Sequence, residues 1–410
     1  MKQELIRRII KRYGTPLFIY DNDIMEKQCK KLQTMITDRA QLYYSMKANP
    51  TLGICQVISR LIKHVEVSSL GELYGAFRAG VPADKILFSG PVKGWKELEE
   101  AVKHRVRINV ESVEEVRRLN EICIQKQSTA DILVRINPDF NYLNKSIVMT
   151  GISSQFGMEP DDLSELLEIR KQRYVRLLGL SVYLGSQVLD ADTILRNCEA
   201  ILKLAINLSR NYHFELKLLD FGGGFGISYF DQRELDAADL QRGLAELFKR
   251  YDDQLRDTGL IFESGRYLTA DSGIYVTKVI DKKISKGKNY ILCDGGLNHI
   301  LGSSYYNREL RDNYPIEVLG KSGPGEEYYI AGPLCTPKDV FGRKALITNP
   351  EIGDYICVRK VGAYGLSFSP IRFISRPAPA EVLLRKDSYA LLRKRETYSE
   401  LFANQLLLPQ

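Results

Sequence analysis

Histidine is scarce in this chain: His64, His104, His213 and His299 are all there is among 410 residues, and no two stand at metal-ligand spacing. The seven cysteines, Cys29, Cys55, Cys123, Cys198, Cys293, Cys335 and Cys357, are scattered, odd in number and never arranged as CxxC. Together these scarcities argue against a His-based metal centre, a zinc site and a disulfide framework. No apolar run is long enough to span a bilayer. The amphipathic, basic start "MKQELIRRIIKRYG" has neither the uninterrupted apolar core nor the small-residue cleavage site of a signal peptide. A cytoplasmic location is the default expectation. Basic clusters interleaved with aromatics, zinc-finger spacings and other nucleic-acid motifs are also missing, so nucleic-acid binding gains no support. Demanding chemistry here points to an organic cofactor rather than a metal.

What is present is an ordinary globular composition, 44% hydrophobic and 27% charged, in a chain long enough for two domains. The net charge of +7 is spread along the sequence until the C-terminal run "LLRKDSYALLRKRE". That run reads as a solvated face, with an acidic protein partner as the other possibility.

From residue 41 onward, strand-like runs alternate with helical ones. The strand-like runs are "QLYYSMK" (41–47), "HVEVSS" (64–69), "KILFSG" (85–90), "RINVES" (107–112), "DILVRIN" (131–137), "LGLSVYLGS" (178–186), "LKLLDFGGG" (216–224) and "LIFESG" (260–265). Between them, segments such as "WKELEEAVKH" and "ADTILRNCEAILKLAINL" carry apolar residues at three- and four-residue spacing, the signature of amphipathic helices. This alternation predicts a (β/α)8 TIM barrel. A doubly wound sheet is the competitor, but no GxGxxG follows the first strand. After about residue 270 short alternating runs separated by turn residues predict a second, mainly β domain.

A barrel gathers its active site at the C-terminal ends of its strands. Lys47 ends the first run, Tyr183 lies near the end of the sixth, Gly222, Gly223 and Gly224 end the seventh, and Glu263, Gly265 and Arg266 end the eighth. In "DFGGGFG" (220–226) successive backbone N–H groups are free of side-chain bulk, which suits a phosphate, and barrels often hold phosphate in the loops after strands seven and eight. A lysine, a phosphate cradle and a carboxylate in one mouth suggest pyridoxal 5′-phosphate. Lys47 is then the Schiff-base lysine, the glycines hold the phosphate, and Glu263 pairs with the ring nitrogen. A structural ion pair with Arg266 is the plainer alternative for Glu263.

The motifs "YYSMKANP", "VEVSSLGEL", "SGPVK", "INVES", "VRINPD", "QFGM", "GSQ", "DFGGGFG", "ESGR", "CDGG", "GPLC" and "GAYG" occur in that order. In this the chain resembles, over nearly its whole length, the fold-type III pyridoxal-phosphate decarboxylases, the group containing diaminopimelate and ornithine decarboxylases. The resemblance implies an alanine racemase-like architecture. A barrel over residues 23–271 binds the cofactor, and a β domain of residues 1–22 and 272–410 completes the active site across a homodimer interface. It implies that Arg266 binds the substrate carboxylate, that Cys335 of "GPLC" is contributed to the other subunit's site, and that Tyr364 of "GAYG" contacts phosphate or substrate. Cys335 is the expected proton donor after decarboxylation, with Lys47 as the alternative.

Three departures bear on the substrate. Tyr183 in "SVYLGSQ" stands where diaminopimelate decarboxylases usually carry a histidine stacked on the ring. Gly302 in "DGGLNHILGSSYY" and Thr336 in "GPLCTP" stand where the family has an arginine and a glutamate that bind the distal end of diaminopimelate. Without those charges a zwitterionic tail lacks partners, which makes free diaminopimelate a poor candidate. "VYLGSQ", "ESGRYL", "AGPLCTPKD" and "GAYGLSFSP" look similar to a specialised-metabolism branch that includes the butirosin-type decarboxylases of a γ-glutamyl group thioesterified to an acyl carrier protein. The expected activity is therefore α-decarboxylation of a carrier-linked or otherwise conjugated amino acid, with a homodimer and possible carrier protein as partners. The alternatives are a free diamino acid or siderophore precursor as substrate, a racemase, and a non-catalytic paralogue.

Overall fold

The computed structural model describes residues 3–143, 147–170, 174–229, 234–305 and 313–409. The chain forms two compact units, one of Glu26–Ser228 and Arg233–Leu268, the other of Met1–Met25, Tyr229–Gln232 and Thr269–Gln410.

The first unit is the closed barrel. Its strands are β1 (Ala40–Ser45), β2 (His64–Val67), β3 (Ile86–Phe88), β4 (Arg107–Val110), β5 (Ala130–Arg135), β6 (Val175–Ser181), β7 (Leu218–Asp220) and β8 (Gly259–Ser264). All neighbours run parallel, and β8 pairs back onto β1 to close the ring. Each of the eight strand-like runs supplies one strand. Tyr43, Leu87, Leu133 and Ile261, from four different strands, are buried together, as the interior layers of such a barrel require. Helices between the strands begin at capping residues. Ser69 accepts from the Glu72 N–H at 3.1 Å, and Asp190 accepts from the Thr193 N–H at 2.8 Å, each satisfying a first-turn donor with no partner inside its helix. Strand β7 is shorter than its run: pairing stops at Asp220, because the glycines that follow turn away from the sheet.

The second unit is mainly β, as the alternating runs predict. The strand Leu17–Asp21 lies between Gly273–Ser285, to which it is antiparallel, and Ala380–Arg385, to which it is parallel. Gly273–Ser285 and Lys288–Cys293 form a hairpin whose two loop residues, Lys286 and Gly287, both have positive φ, the turn that matches strand twist. The N-terminal helix Gln3–Tyr13 buries Leu5, Ile6, Ile9 and Ile10 from one face against Leu17, Ile19, Ile274, Val276 and Val382. The C-terminal basic run is only partly the solvated face expected. Arg393 pairs with the buried Glu381, and Arg395 donates to the carbonyls of Tyr13 at 3.2 Å and Pro16 at 2.7 Å. Among the described residues, no helix is long and apolar enough to cross a membrane.

Candidate active site

Strand register assembles the site at the C-terminal mouth of the barrel. Ser45 of β1 is paired with Glu66 of β2, and a single 3-10 turn, Met46–Ala48, follows β1. Lys47, two residues past Ser45, therefore reaches Glu66, its Nζ lying 3.1 and 3.3 Å from the two carboxylate oxygens. Glu66 is fully buried and also accepts from the Ser68 hydroxyl at 2.8 Å. Burial pushes the Glu66 carboxyl up, but Lys47 and the Ser68 and Ser45 hydroxyls outweigh it, leaving the group below its ordinary value. Glu66 is the ionised counter-ion of the lysine.

Opposite lies a second acidic group. Asp220 ends β7 and is fully buried; it accepts from the Gly222 N–H at 2.8 Å and from the Ser181 hydroxyl at 3.0 Å. Ser181 in turn accepts from Asn109 at 3.1 Å. Glu263 projects from β8 on the same face as Ile261, whose neighbour in register is Asp220, and the two buried carboxyl groups act on each other electrostatically. Burial raises Asp220 to about 6. Burial first, then the charges of Asp220 and Glu66, hold Glu263 well above the usual carboxylate range. In the cofactor-free chain Glu263 is thus the member of the pair that burial and its neighbours most disfavour as an anion.

The glycines form the floor between these groups. A Cβ on Gly222 would sit 2.5 Å from the Tyr183 ring, one on Gly223 2.2 Å from the Glu263 carbonyl oxygen, and one on Gly224 2.6 Å from the Gly185 carbonyl oxygen. The Gly222 carbonyl accepts from the Glu263 N–H at 2.7 Å, tying the loop to β8. Among the described residues, the N–H groups of Gly223 and Gly224 have no protein acceptor. Two adjacent donors on a side-chain-free loop fit a phosphate. Tyr183 stands over Gly222. Burial raises its hydroxyl, while Lys47, Ser186 and Arg266 act in the opposite direction. Gly265 packs where a Cβ would meet the Ser45 carbonyl at 2.7 Å, and Arg266, 6% exposed, opens the short helix that follows. Lys47, Tyr183, Gly222, Gly223, Gly224, Glu263, Gly265 and Arg266 are thus gathered at one mouth.

Four further residues belong to this mouth without having been singled out from the sequence: Glu66, Asp220, Glu111 and Arg135. Arg135 ends β5, pairs with Glu111 at 2.9 Å, and stacks its guanidinium 4.7 Å from the Phe156 ring centre and 5.8 Å from that of Tyr183. Its Nε and Nη2 are buried with no hydrogen-bond partner among the described residues, the condition of a group that meets a ligand. The signal for all four was their place at or just beyond a strand end, in "VEVSS", "DFGGG", "NVES" and "VRINPD". A lysine with a counter-ion, two unused N–H groups and a buried carboxyl match the aldehyde, phosphate and ring nitrogen of pyridoxal 5′-phosphate. The residues fit that cofactor. Among the described residues, no cluster of His, Cys, Asp and Glu could hold a metal ion.

Cys335, Thr336 and Tyr364 lie in the β unit. Cys335 and Thr336 share one turn after the strand Glu326–Ala331, and Cys335 is exposed whereas the other six cysteines are buried. Tyr364 adopts a left-handed backbone with φ of 55°, uncommon for a bulky residue. Gly302 lies in the helix Leu297–Tyr305.

Residues 22–270 match the family described as pyridoxal-dependent decarboxylase, pyridoxal binding domain. The chain is 37% identical to an L-glutamyl-(acyl-carrier protein) decarboxylase of Niallia circulans, over 99% of this chain and 97% of that protein. It is 31% identical to the diaminopimelate decarboxylase of Aquifex aeolicus, over 96% and 92% of the two chains. The crystal structure of diaminopimelate decarboxylase from Helicobacter pylori complexed with L-lysine superposes with a TM-score of 0.87 at 28% identity, covering 97% of this chain and 98% of that one. Fold and sequence agree along almost the entire length, and the chain belongs to the pyridoxal-dependent decarboxylases.

Proposed function

We propose that the protein removes the α-carboxylate, as CO2, from the free amino-acid end of a conjugated substrate, a γ-glutamyl group on an acyl-carrier thioester being the best match. The observation that carries this reading is the 37% identity, over almost the whole of both chains, to an enzyme named for that substrate. Gly302 and Thr336 support it, because an uncharged tail needs neither of the charges missing there. The moderate excess of basic residues suits an acidic carrier.

Pyridoxal 5′-phosphate supplies an electron sink for the pair left on Cα when CO2 departs. The chain's own groups do the rest. The Gly223 and Gly224 N–H groups bind phosphate. Glu263 holds a proton at the ring-nitrogen position, and Asp220, fixed by Ser181 and Gly222, keeps that carboxyl in place. Lys47 would hold the cofactor through its amine, and Glu66 is placed to balance the charge of that amine. Tyr183 covers one face, and Arg266 binds the substrate carboxylate. Cys335 returns a proton to Cα, in a site shared between the subunits of a homodimer with Tyr364 contributing to phosphate or substrate binding; Lys47 is the alternative donor. The boundaries 23–271 for the cofactor domain and 1–22 with 272–410 for the completing domain belong to the same proposal.

CO2 release from purified, cofactor-loaded protein tests it, with a γ-glutamyl-carrier thioester, free meso-diaminopimelate, L-ornithine and L-lysine compared in one assay. Release from the thioester alone supports the reading. Release from a free diamino acid alone refutes it in favour of the second reading, which the 31% identity to a diaminopimelate decarboxylase recommends. Lys47→Ala abolishes covalent cofactor attachment, read by borohydride reduction and mass spectrometry; attachment elsewhere overturns the assignment of Lys47.

A further inference from the structure

Between the strands Glu326–Ala331 and Val340–Ile347 of the β unit, the chain makes the turn that bears Cys335 and Thr336. Asp339 closes it. Its backbone N–H donates to the Thr336 carbonyl at 3.1 Å, and its carbonyl accepts from the Gly332 N–H at 3.0 Å. Its side chain is turned inward, and the residue is only 2% exposed. One carboxylate oxygen accepts from the Leu334 N–H at 2.7 Å, immediately before Cys335. The other accepts from the Leu297 N–H at 2.8 Å. Leu297 is the first residue of the helix Leu297–Tyr305, which carries Gly302.

The slot for this carboxylate is built by two facing glycines. A Cβ on Gly296 would lie 2.4 Å from one oxygen of Asp339, and a Cβ on Gly332 would lie 2.5 Å from the other. Each of those Cβ atoms would also lie 2.6 Å from the facing glycine's Cα, so the two backbones touch there. A buried carboxylate is unfavourable unless its oxygens are used, and here each takes a backbone N–H; one of them is a first-turn helix donor that favours negative charge. Burial raises the Asp339 carboxyl, and the Leu297 and Leu334 N–H groups oppose that rise.

We propose that Asp339 is a positioning residue that locks the Cys335–Thr336 turn to the start of the Gly302 helix, so that proton donor and substrate-tail contacts are presented as one rigid piece. The proposal rests on Cys335 acting as the proton donor. It follows from geometry: a single carboxylate bridges the two segments in which this chain departs from the family's charged residues, and misplacing a reacting group by about 1 Å costs on the order of a hundredfold in rate.

The test uses cofactor-loaded protein carrying Asp339→Asn or Asp339→Ser. Asn keeps the shape and offers one acceptor oxygen in place of two; Ser removes the bulk and keeps one. Alkylation of Cys335 by iodoacetamide, followed by mass spectrometry, reads the turn directly, since the other six cysteines are buried. The expected result is a change in Cys335 alkylation rate of about tenfold in either variant, with cofactor absorbance kept, and a fall in kcat larger than the change in KM. Combined with Cys335→Ala, Asp339→Asn should cause no further fall in kcat, because its effect on that step acts through Cys335, while the effect on the substrate-tail contacts is read in KM. Unchanged alkylation in both variants, or losses that multiply with Cys335→Ala, overturns the proposal. Full CO2 release by Cys335→Ala alone instead refutes the role of Cys335, while the alkylation rates still decide whether Asp339 sets the turn. Should neither variant fold, hydrogen exchange of the unaltered protein decides. Slow exchange is expected in peptides covering residues 294–300 and 332–338, and fast exchange in both refutes the bridge.

Discussion

Gly223→Ala probes the site with one methyl group. The Gly223 backbone is not in the left-handed region, so alanine suffers no conformational penalty, and the effect is purely steric. The new Cβ would lie 2.2 Å from the Glu263 carbonyl oxygen, where real Cβ contacts essentially never fall below 3.0 Å. The loop must therefore retreat from β8 by roughly 0.8 Å, enough to stretch an N–H···O bond of ordinary length beyond its useful range. If the Gly223 and Gly224 N–H groups hold phosphate, up to two hydrogen bonds to a charged group are lost, each worth about 1.5–3 kcal/mol. One lost bond raises Kd at least about tenfold, and both together raise it by up to about 10⁴-fold. The assay is an absorbance titration of pyridoxal 5′-phosphate into stripped protein, with urea unfolding of the same stripped protein to separate binding from folding. Overpacking alone destabilises by about 1–3 kcal/mol. Gly71→Ala is the control, since its Cβ meets nothing nearer than 3.7 Å; its cofactor affinity should be unchanged. Wild-type Kd and wild-type stability in Gly223→Ala would refute the cradle.

Glu263→Gln removes the ionisable carboxyl proposed to pair with the ring nitrogen; cofactor stays bound by absorbance, and single-turnover CO2 release slows by about 10²–10³-fold. In cofactor-free protein, Asp220 binds a proton up to about pH 6 when folded but only to about 3.8 when unfolded. Its contribution to stability is therefore full below about pH 3.8 and is lost as pH rises through about 6, roughly 3 kcal/mol in all. Urea midpoints of stripped protein should show this fall, and Asp220→Asn should flatten it; an unchanged slope refutes the assignment. Lys93 is buried with Nζ 2.8 Å from the buried Glu115 and bonded to the carbonyls of Gly90 at 2.6 Å and Asn109 at 3.0 Å. Lys93→Met strands Glu115 and destabilises by about 3–5 kcal/mol, and adding Glu115→Gln restores part of that loss, both measured by urea unfolding.

The barrel was legible because alternation of β-branched runs with helical periodicity is a local property, repeated eight times. Lys47, the glycines and Glu263 were legible for a related reason: they terminate those runs, and the barrel rule assigns strand ends to one mouth. Asp220 and Arg135 also terminate strands and Glu66 stands one residue before the end of its own, yet each reads alone as an ordinary charged residue, and only strand register shows what it faces. The basic run near the C-terminus misled in part, since a guanidinium that folds back onto backbone carbonyls, as Arg395 does, looks the same in sequence as one in water.

The amino-acid order by itself determined the barrel, the β-rich second unit, the kind of cofactor and most of the groups gathered at the barrel mouth, because those depend on residue type and on spacing along the chain. Tertiary structure alone decided which carboxyls are buried against each other, which one answers the lysine, and that Asp339 spans two segments some forty residues apart. Pairing and bridging depend on burial and on neighbours brought together through space, and neither is written in distance along the sequence.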